Sequence, residues 1–294
     1  MRWWMVLMVV SGCGGEPGRG DADADPATGA PVFDDGDNMI SITEGAWPGV
    51  GDPWAGVHAW FSDTPDLLTE TARAGSCRVR TSDTAYCEGC EGVCISGVCH
   101  DWPRGRSAGE ITITGLAVPL TLTWTGDYYS QQPFPPDDVF DAGDAITVTA
   151  DGDEVAGFTA GATGVEAIAP RLAGSCDNEL RLTRGEDAEI TWPDPVPGAR
   201  VRLRLPSPNN GHGMPPRAVI ECEGPDAGRM VVPAALIDAL PDLVETEACD
   251  GVACVGVDCP PSSLARYTRA AVAAGSETIE LRVQSEVLFY LFDD

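Results

Sequence analysis

Short apolar or alternating runs, each closed by Gly, Pro or Asp, recur along most of the chain, and no long amphipathic helical stretch interrupts them. This pattern limits the fold to β-sheets joined by turns, because many short strands at such spacing pack as sandwiches. Ile111-Thr-Ile-Thr114 and Val201-Arg-Leu-Arg-Leu205 are the clearest cases. A period of two puts Ile111 and Ile113, or Val201, Leu203 and Leu205, on one buried face. In the first half, strands are also expected at 39–43, 56–61, 78–81, 120–125, 145–149 and 154–159. In the second half they are expected at 179–183, 188–192, 218–223, 229–232, 278–283 and 287–292. The stretch 262–274 is rich in alanine, which favours a helix, but its alternation favours a strand beginning near Ala265.

One short helix is expected over 233–240. Pro233 suits a first helical turn, where no backbone donor is needed, and Ala234, Ala235, Leu236 and Leu240 supply the packing. Pro241 ends it. The expected architecture is therefore mainly β: two β-sandwich modules of immunoglobulin-like type, stapled by disulfides, covering 32–170 and 171–294. A cysteine-rich insertion belongs to the first.

Of the 11 cysteines, ten follow Cys13. In an exported chain an even set reads as disulfides. Cys77, Cys87, Cys90, Cys94 and Cys99 fall in the first module; Cys176, Cys222, Cys249, Cys254 and Cys259 fall in the second. Five in each half is odd, so complete pairing requires a bond across the 170/171 boundary, or else a different boundary. Cys254 with Cys259, and at least one bond inside 87–99, are the expected local pairs. Zinc is the alternative for the 87–99 cluster, but only its first pair has the two-residue spacing of a zinc site.

Export itself is expected from the first residues. Arg2 precedes the apolar run 3–10, which is too short to span a bilayer and has the form of a cleaved leader. Val10-Ser-Gly-Cys13 resembles the lipobox of bacterial lipoproteins. That resemblance implies a signal peptide over 1–12 and a diacylglycerol and an acyl (palmitate-type) chain on Cys13. Several acyl chains together hold a protein stably on a membrane. Residues 13–31 are Gly, Asp, Ala and Pro with almost no large apolar side chain, the composition of an acidic tether. The expected location is the cell envelope, on the outer rather than the inner membrane.

Several motifs carry a second resemblance. These are Thr71-Ala-Arg-Ala-Gly-Ser-Cys77, Trp102-Pro-Arg104, Gly211-His-Gly213, Glu221-Cys222 with Pro225-Asp-Ala-Gly228, and Cys259-Pro-Pro-Ser262 before Arg266-Tyr267. Over about 40–290 the chain looks like a group of predicted lipoproteins from gliding, high-GC bacteria. The group has no assigned activity, so the resemblance implies export and architecture but no catalytic residues.

The basic residues number 18, all arginine, against 46 acids, giving a formal charge of -28. A field of that sign disfavours nucleic acid as a partner. The expected partners are the membrane, through the anchor, and a glycan or another envelope protein. Trp47 and Trp54, in a Gly/Pro-rich loop, are the candidate ligand-binding residues. Trp60, Trp102, Trp124, Tyr128 and Tyr129 complete a possible sugar-stacking set, with Trp60 and Trp124 expected in the core.

Catalysis is not expected. The histidines are His58, His100 and His212, and neither a Gly-x-Ser-x-Gly elbow nor a His-Glu-x-x-His helix is present. His212, in a polar loop, is the most noticeable. No cofactor or metal is expected. Asp137, Asp138, Asp141 and Asp144 are spaced for calcium without matching an EF-hand loop, and Asp-Gly turns are the simpler reading. The functional expectation is a lipid-anchored envelope protein with a structural or recognition role. The alternatives are a carbohydrate-binding surface module using the loop tryptophans and, after it, a surface hydrolase with an unrecognised site.

Overall fold

The computed structural model describes residues 38–46, 53–62, 67–82, 88–95, 97–132, 138–173, 178–207, 216–241 and 261–293. The chain begins with β1 (Asn38–Ala46), β2 (Trp54–Phe61), β3 (Leu68–Ala74) and β4 (Cys77–Ser82). A short pair follows, β5 (Val93–Ile95) and β6 (Val98–His100). Next come β7 (Ile111–Thr114), β8 (Leu120–Trp124), β9 (Tyr129–Gln132), β10 (Ala145–Ala150) and β11 (Phe158–Thr163). The second half holds β12 (Glu179–Leu182), β13 (Ala188–Thr191), β14 (Arg200–Pro206), β15 (Ala218–Pro225) and β16 (Arg229–Val232). It closes with α1 (Ala234–Ile237) and the long hairpin β17 (Ser262–Ala274) and β18 (Glu277–Asp293).

The fold is mainly β, with two sheet-on-sheet packings, one short helix and disulfide staples, but the two packings share a sheet. Its order is β2-β1-β18-β17-β14-β15-β4-β3, with β12 beside the far end of β18. Strands from before residue 170 therefore flank four strands from after it in one hydrogen-bonded sheet, and the expected boundary cuts through it. The physical reason is the length of β18. Its end near Ile279, Leu281 and Val283 lies in one core, whereas Val287 and Phe289 lie in the other. All five side chains share one face, because each lies an even number of positions from the next.

The first core lies under the smaller sheet β11-β10-β7-β8-β9, which contributes Ile111, Ile113, Leu120, Leu122, Ile146 and Val148. Ile40, Ile42 and Phe61 close it from the large sheet. The second core sets Val79, Val201, Leu203, Leu205 and Ile220 against Ile190, Met230 and Val232 of the pair β13-β16, and against Leu236 and Ile237 of α1. Each such aliphatic side chain contributes about 1.5–3 kcal/mol on full burial. Ser285 sits between the cores on the same strand face, where its hydroxyl accepts the Ile168 backbone N–H at 3.3 Å.

The expected strands are present with shifted ends. The run expected at 154–159 is displaced to Phe158–Thr163, and the two expected at 278–283 and 287–292 are one strand of 17 residues. The alanine-rich segment is a strand beginning at Ser262 rather than near Ala265. The helix covers four residues, although backbone bonds continue its turns to Leu240.

Cys77 and Cys222 form a disulfide across the neighbouring strands β4 and β15, separated by 145 residues in sequence. This is a bond across the 170/171 division. Cys90–Cys99 is an internal bond of the cysteine-rich insertion, and Cys94 is also disulfide-bonded. Cys13, Cys87, Cys176, Cys249, Cys254 and Cys259 lie outside the described residues, as does the expected 254–259 pair.

Candidate ligand-binding face

The large sheet has one face in the two cores, and the identity of its other face follows from strand parity. On β2, Ala55, Val57, Ala59 and Phe61 turn toward the first core. Trp54, Gly56, His58 and Trp60 therefore share the opposite face. His58 is exposed, and Trp54 and Trp60 are partly buried. The rings of His58 and Trp60 are nearly parallel, at 13°, with centroids 6.4 Å apart. Trp54 is opposite Gly45 of β1, and its indole occupies the space where a side chain at 45 would stand. An aromatic ring laid over a cross-strand glycine covers backbone that would otherwise be wet.

Register extends this face inward. Met39, Ser41 and Thr43 of β1 lie beside the aromatic row. Glu280, Arg282 and Gln284 of β18 follow, in parallel register with those three. Beyond them the face becomes a network of buried charges. Arg282 lies 4.9 Å from the Tyr267 ring centre and donates to Glu280 at 2.6 Å. The Tyr267 hydroxyl donates to Glu223 at 2.6 Å, and Arg200 pairs with the same carboxylate. Glu221 accepts from Arg78 at 2.7 and 2.9 Å and from Arg202 at 3.1 Å, with Arg80 and Arg204 at 3.7 and 3.5 Å.

These contacts set the protonation states. Burial alone would raise the Glu221 carboxyl, but Arg202, Arg204 and Arg78 overcome it and hold the group at about 2. Tyr267 is pushed upward by burial and by the charge of Glu223, so its phenol keeps its proton. Partial desolvation by the residues around it lowers His58, although the residue remains exposed. A carboxylate locked in its ionised form is unsuited to donating a proton, and a phenol locked in its neutral form is unsuited to accepting one. What the network does is fix charge and side-chain orientation behind the aromatic row.

Of the residues expected to bind ligand, Trp54 is on this face and Trp47 lies outside the described residues. Trp60 is not in the core: it shares the outward row with His58, and it is the neighbouring Phe61 that is buried. Trp124 is also only partly buried, tilted 5.1 Å from Tyr129 and packed over Gly105. Tyr129 is a structural residue. Its ring meets Phe61 edge-on at 5.8 Å, and its hydroxyl accepts from Ala108 N–H and donates to the Gly109 carbonyl. Trp102 and Tyr128 are exposed, at 66% and 59%.

The His58–Trp60 row was missed by sequence reasoning because four of the five residues 57–61 are apolar, so either parity could face the core. His100 lies in β6, and His212 is outside the described residues. Among the described residues, no three His, Cys, Asp or Glu side chains converge as a metal site, and no helix is long and apolar enough to cross a membrane. Asp144 spends its carboxylate on the Asp141 N–H, and its own N–H returns to the Asp141 carbonyl, so the group closes a local turn. The chain matches no protein-family model, no curated protein and no solved structure.

Proposed function

We propose that this chain is a recognition protein of the cell envelope that performs no catalysis, held by lipid on Cys13 to the outer membrane. The observation that carries the recognition role is the division of labour in the large sheet. One face packs two cores, while the other presents partly open aromatic rings on an edge strand, backed by fixed charges. Exposed or half-exposed aromatic rings on a rigid sheet are suited to binding a partner. The acidic composition supports solubility at a surface and disfavours nucleic acid.

A second reading, carbohydrate binding, is favoured by the Trp54–His58–Trp60 row specifically. Sugar rings offer C–H faces to aromatic planes and hydroxyls to polar neighbours, and this face supplies both. The test of the main reading has two parts. The full chain is expected in the membrane fraction, and Cys13→Ser is expected to release it; recovery of that variant in the same fraction refutes the anchor. Affinity capture of envelope glycans or proteins by the wild-type chain, lost in Trp60→Ala, is expected for the recognition role.

A further inference from the structure

The aromatic row is a line rather than a pocket. Six residue steps of extended strand separate Trp54 from Trp60, about 20 Å at the usual rise, enough for several sugar rings in succession. The residues beside the row are hydrogen-bonding, and neither β1 nor β2 contains an arginine. Ser41 offers a partly open hydroxyl and Gln284 a partly open amide, whereas Thr43 is buried. Arg282 of β18, level with Ser41, is buried, bound to Glu280 and stacked on Tyr267. The whole molecule carries -28. A polyanion approaching β2 and β1 meets the long-range repulsion of a chain at -28, and neither strand carries an arginine to offset it. A neutral chain meets no such penalty.

Resting on the carbohydrate reading above, we propose that the outward face of β2 and β1 binds a neutral polysaccharide chain. The chain lies along β2, with sugar rings stacked on Trp54, His58 and Trp60 and hydroxyls bonded to Ser41 and Gln284. The ligand is recognised as an extended chain, so affinity grows with the number of sugar rings along the strand.

The test uses the full chain in detergent, titrated with soluble neutral glucan and xylan and with two polyuronates, alginate and polygalacturonate. Binding to a neutral polymer is expected, increasing with oligosaccharide length and about tenfold weaker in Trp60→Ala, the loss of one aromatic stacking contact. His58→Ala, at an exposed position, serves as a second variant where Trp60→Ala perturbs folding, as judged by circular dichroism. Binding to polyuronates alone overturns the charge argument while leaving carbohydrate recognition standing. Neutral binding unchanged in the Trp54, His58 and Trp60 variants overturns the placement on β2. No binding to any of the four polymers overturns the proposal together with the carbohydrate reading; capture of an envelope protein would then leave only the broader recognition role.

Discussion

The Arg266 guanidinium donates to the Asp226 carboxylate at 2.7 Å, and both side chains are almost wholly buried. Arg266 is opposite Ser285 in the sheet, level with the gap between the two cores. Its remaining donors reach the carbonyls of Glu166, Ala167 and Asp194. Asp226 in turn accepts from the Trp192 indole at 2.6 Å and the Val196 N–H at 2.8 Å. One ion pair thus ties the segment leaving β11, the turn after β13 and the turn after β15 to the shared sheet. A buried pair of this kind is weak evidence of net stabilisation, but removing one partner leaves the other charge stranded.

Arg266→Met is therefore expected to cost about 3–5 kcal/mol in urea unfolding. Adding Asp226→Asn to that variant should recover part of the loss, because the stranded charge is gone. A double variant no more stable than Arg266→Met alone would show that the guanidinium's carbonyl contacts, and not the ion pair, carry the effect.

Stability is expected to peak at mildly acidic pH. Glu221 is held at about 2 against an ordinary value of 4.5, so its contribution is present above 4.5 and is lost as pH falls toward 2. The difference corresponds to about 3 kcal/mol. Glu44 and Glu286 are both raised by burial, so they cost stability at neutral pH and the cost is relieved as they take up protons. Melting temperature should rise as pH falls from neutral toward 4.5 and then fall as Glu221 takes up its proton toward about 2. In Glu221→Gln the acid limb should flatten, with an overall loss from stranding Arg78. A wild-type profile that falls steadily from pH 7 would contradict this.

Cys77 and Cys222 are both fully buried, so the bond between them is shielded from solvent thiols in the native state. Closing a loop of 145 residues by a single bond stabilises by about 3–5 kcal/mol on the loop-entropy argument. The double variant Cys77→Ala/Cys222→Ala should unfold at correspondingly lower urea. Native-state alkylation in the presence of a thiol reductant, without denaturant, should leave both wild-type residues unlabelled, and prompt labelling would refute the shielding.

Gly45→Ala introduces a methyl group into the space of the Trp54 indole. Overpacking of this kind costs about 1–3 kcal/mol, and it should also displace Trp54 and shift its fluorescence. Gly56→Ala is the control: its nearest neighbour is the Trp54 ring at 3.7 Å, ordinary contact, so little change is expected. Equal effects of the two substitutions would refute the stacking of Trp54 on position 45.

Local pattern was enough to read most strands. Ile111 and Ile113, and Val201, Leu203 and Leu205, are buried on the faces that a period of two assigns them. The polar edge strand β3 and the short pair β5–β6 escaped notice because their residues carry no clear alternation. In β18, the polar triplet Gln284-Ser285-Glu286 looked like a break between strands. Tertiary structure made it continuous: Ser285 falls at the junction of the two cores, where its hydroxyl has the Ile168 amide as a partner.

The chain alone thus determined its class, mainly β with disulfides, because turn residues and residue alternation act over a few positions. Only the tertiary structure decided which face of β2 turned outward, which carboxylate each of Arg78, Arg200 and Arg266 met, and that Cys77 would find Cys222. Those choices depend on strand order and register between segments far apart in sequence. Hydrogen bonding between strands and burial on one face set them together, and neither is written in any single segment.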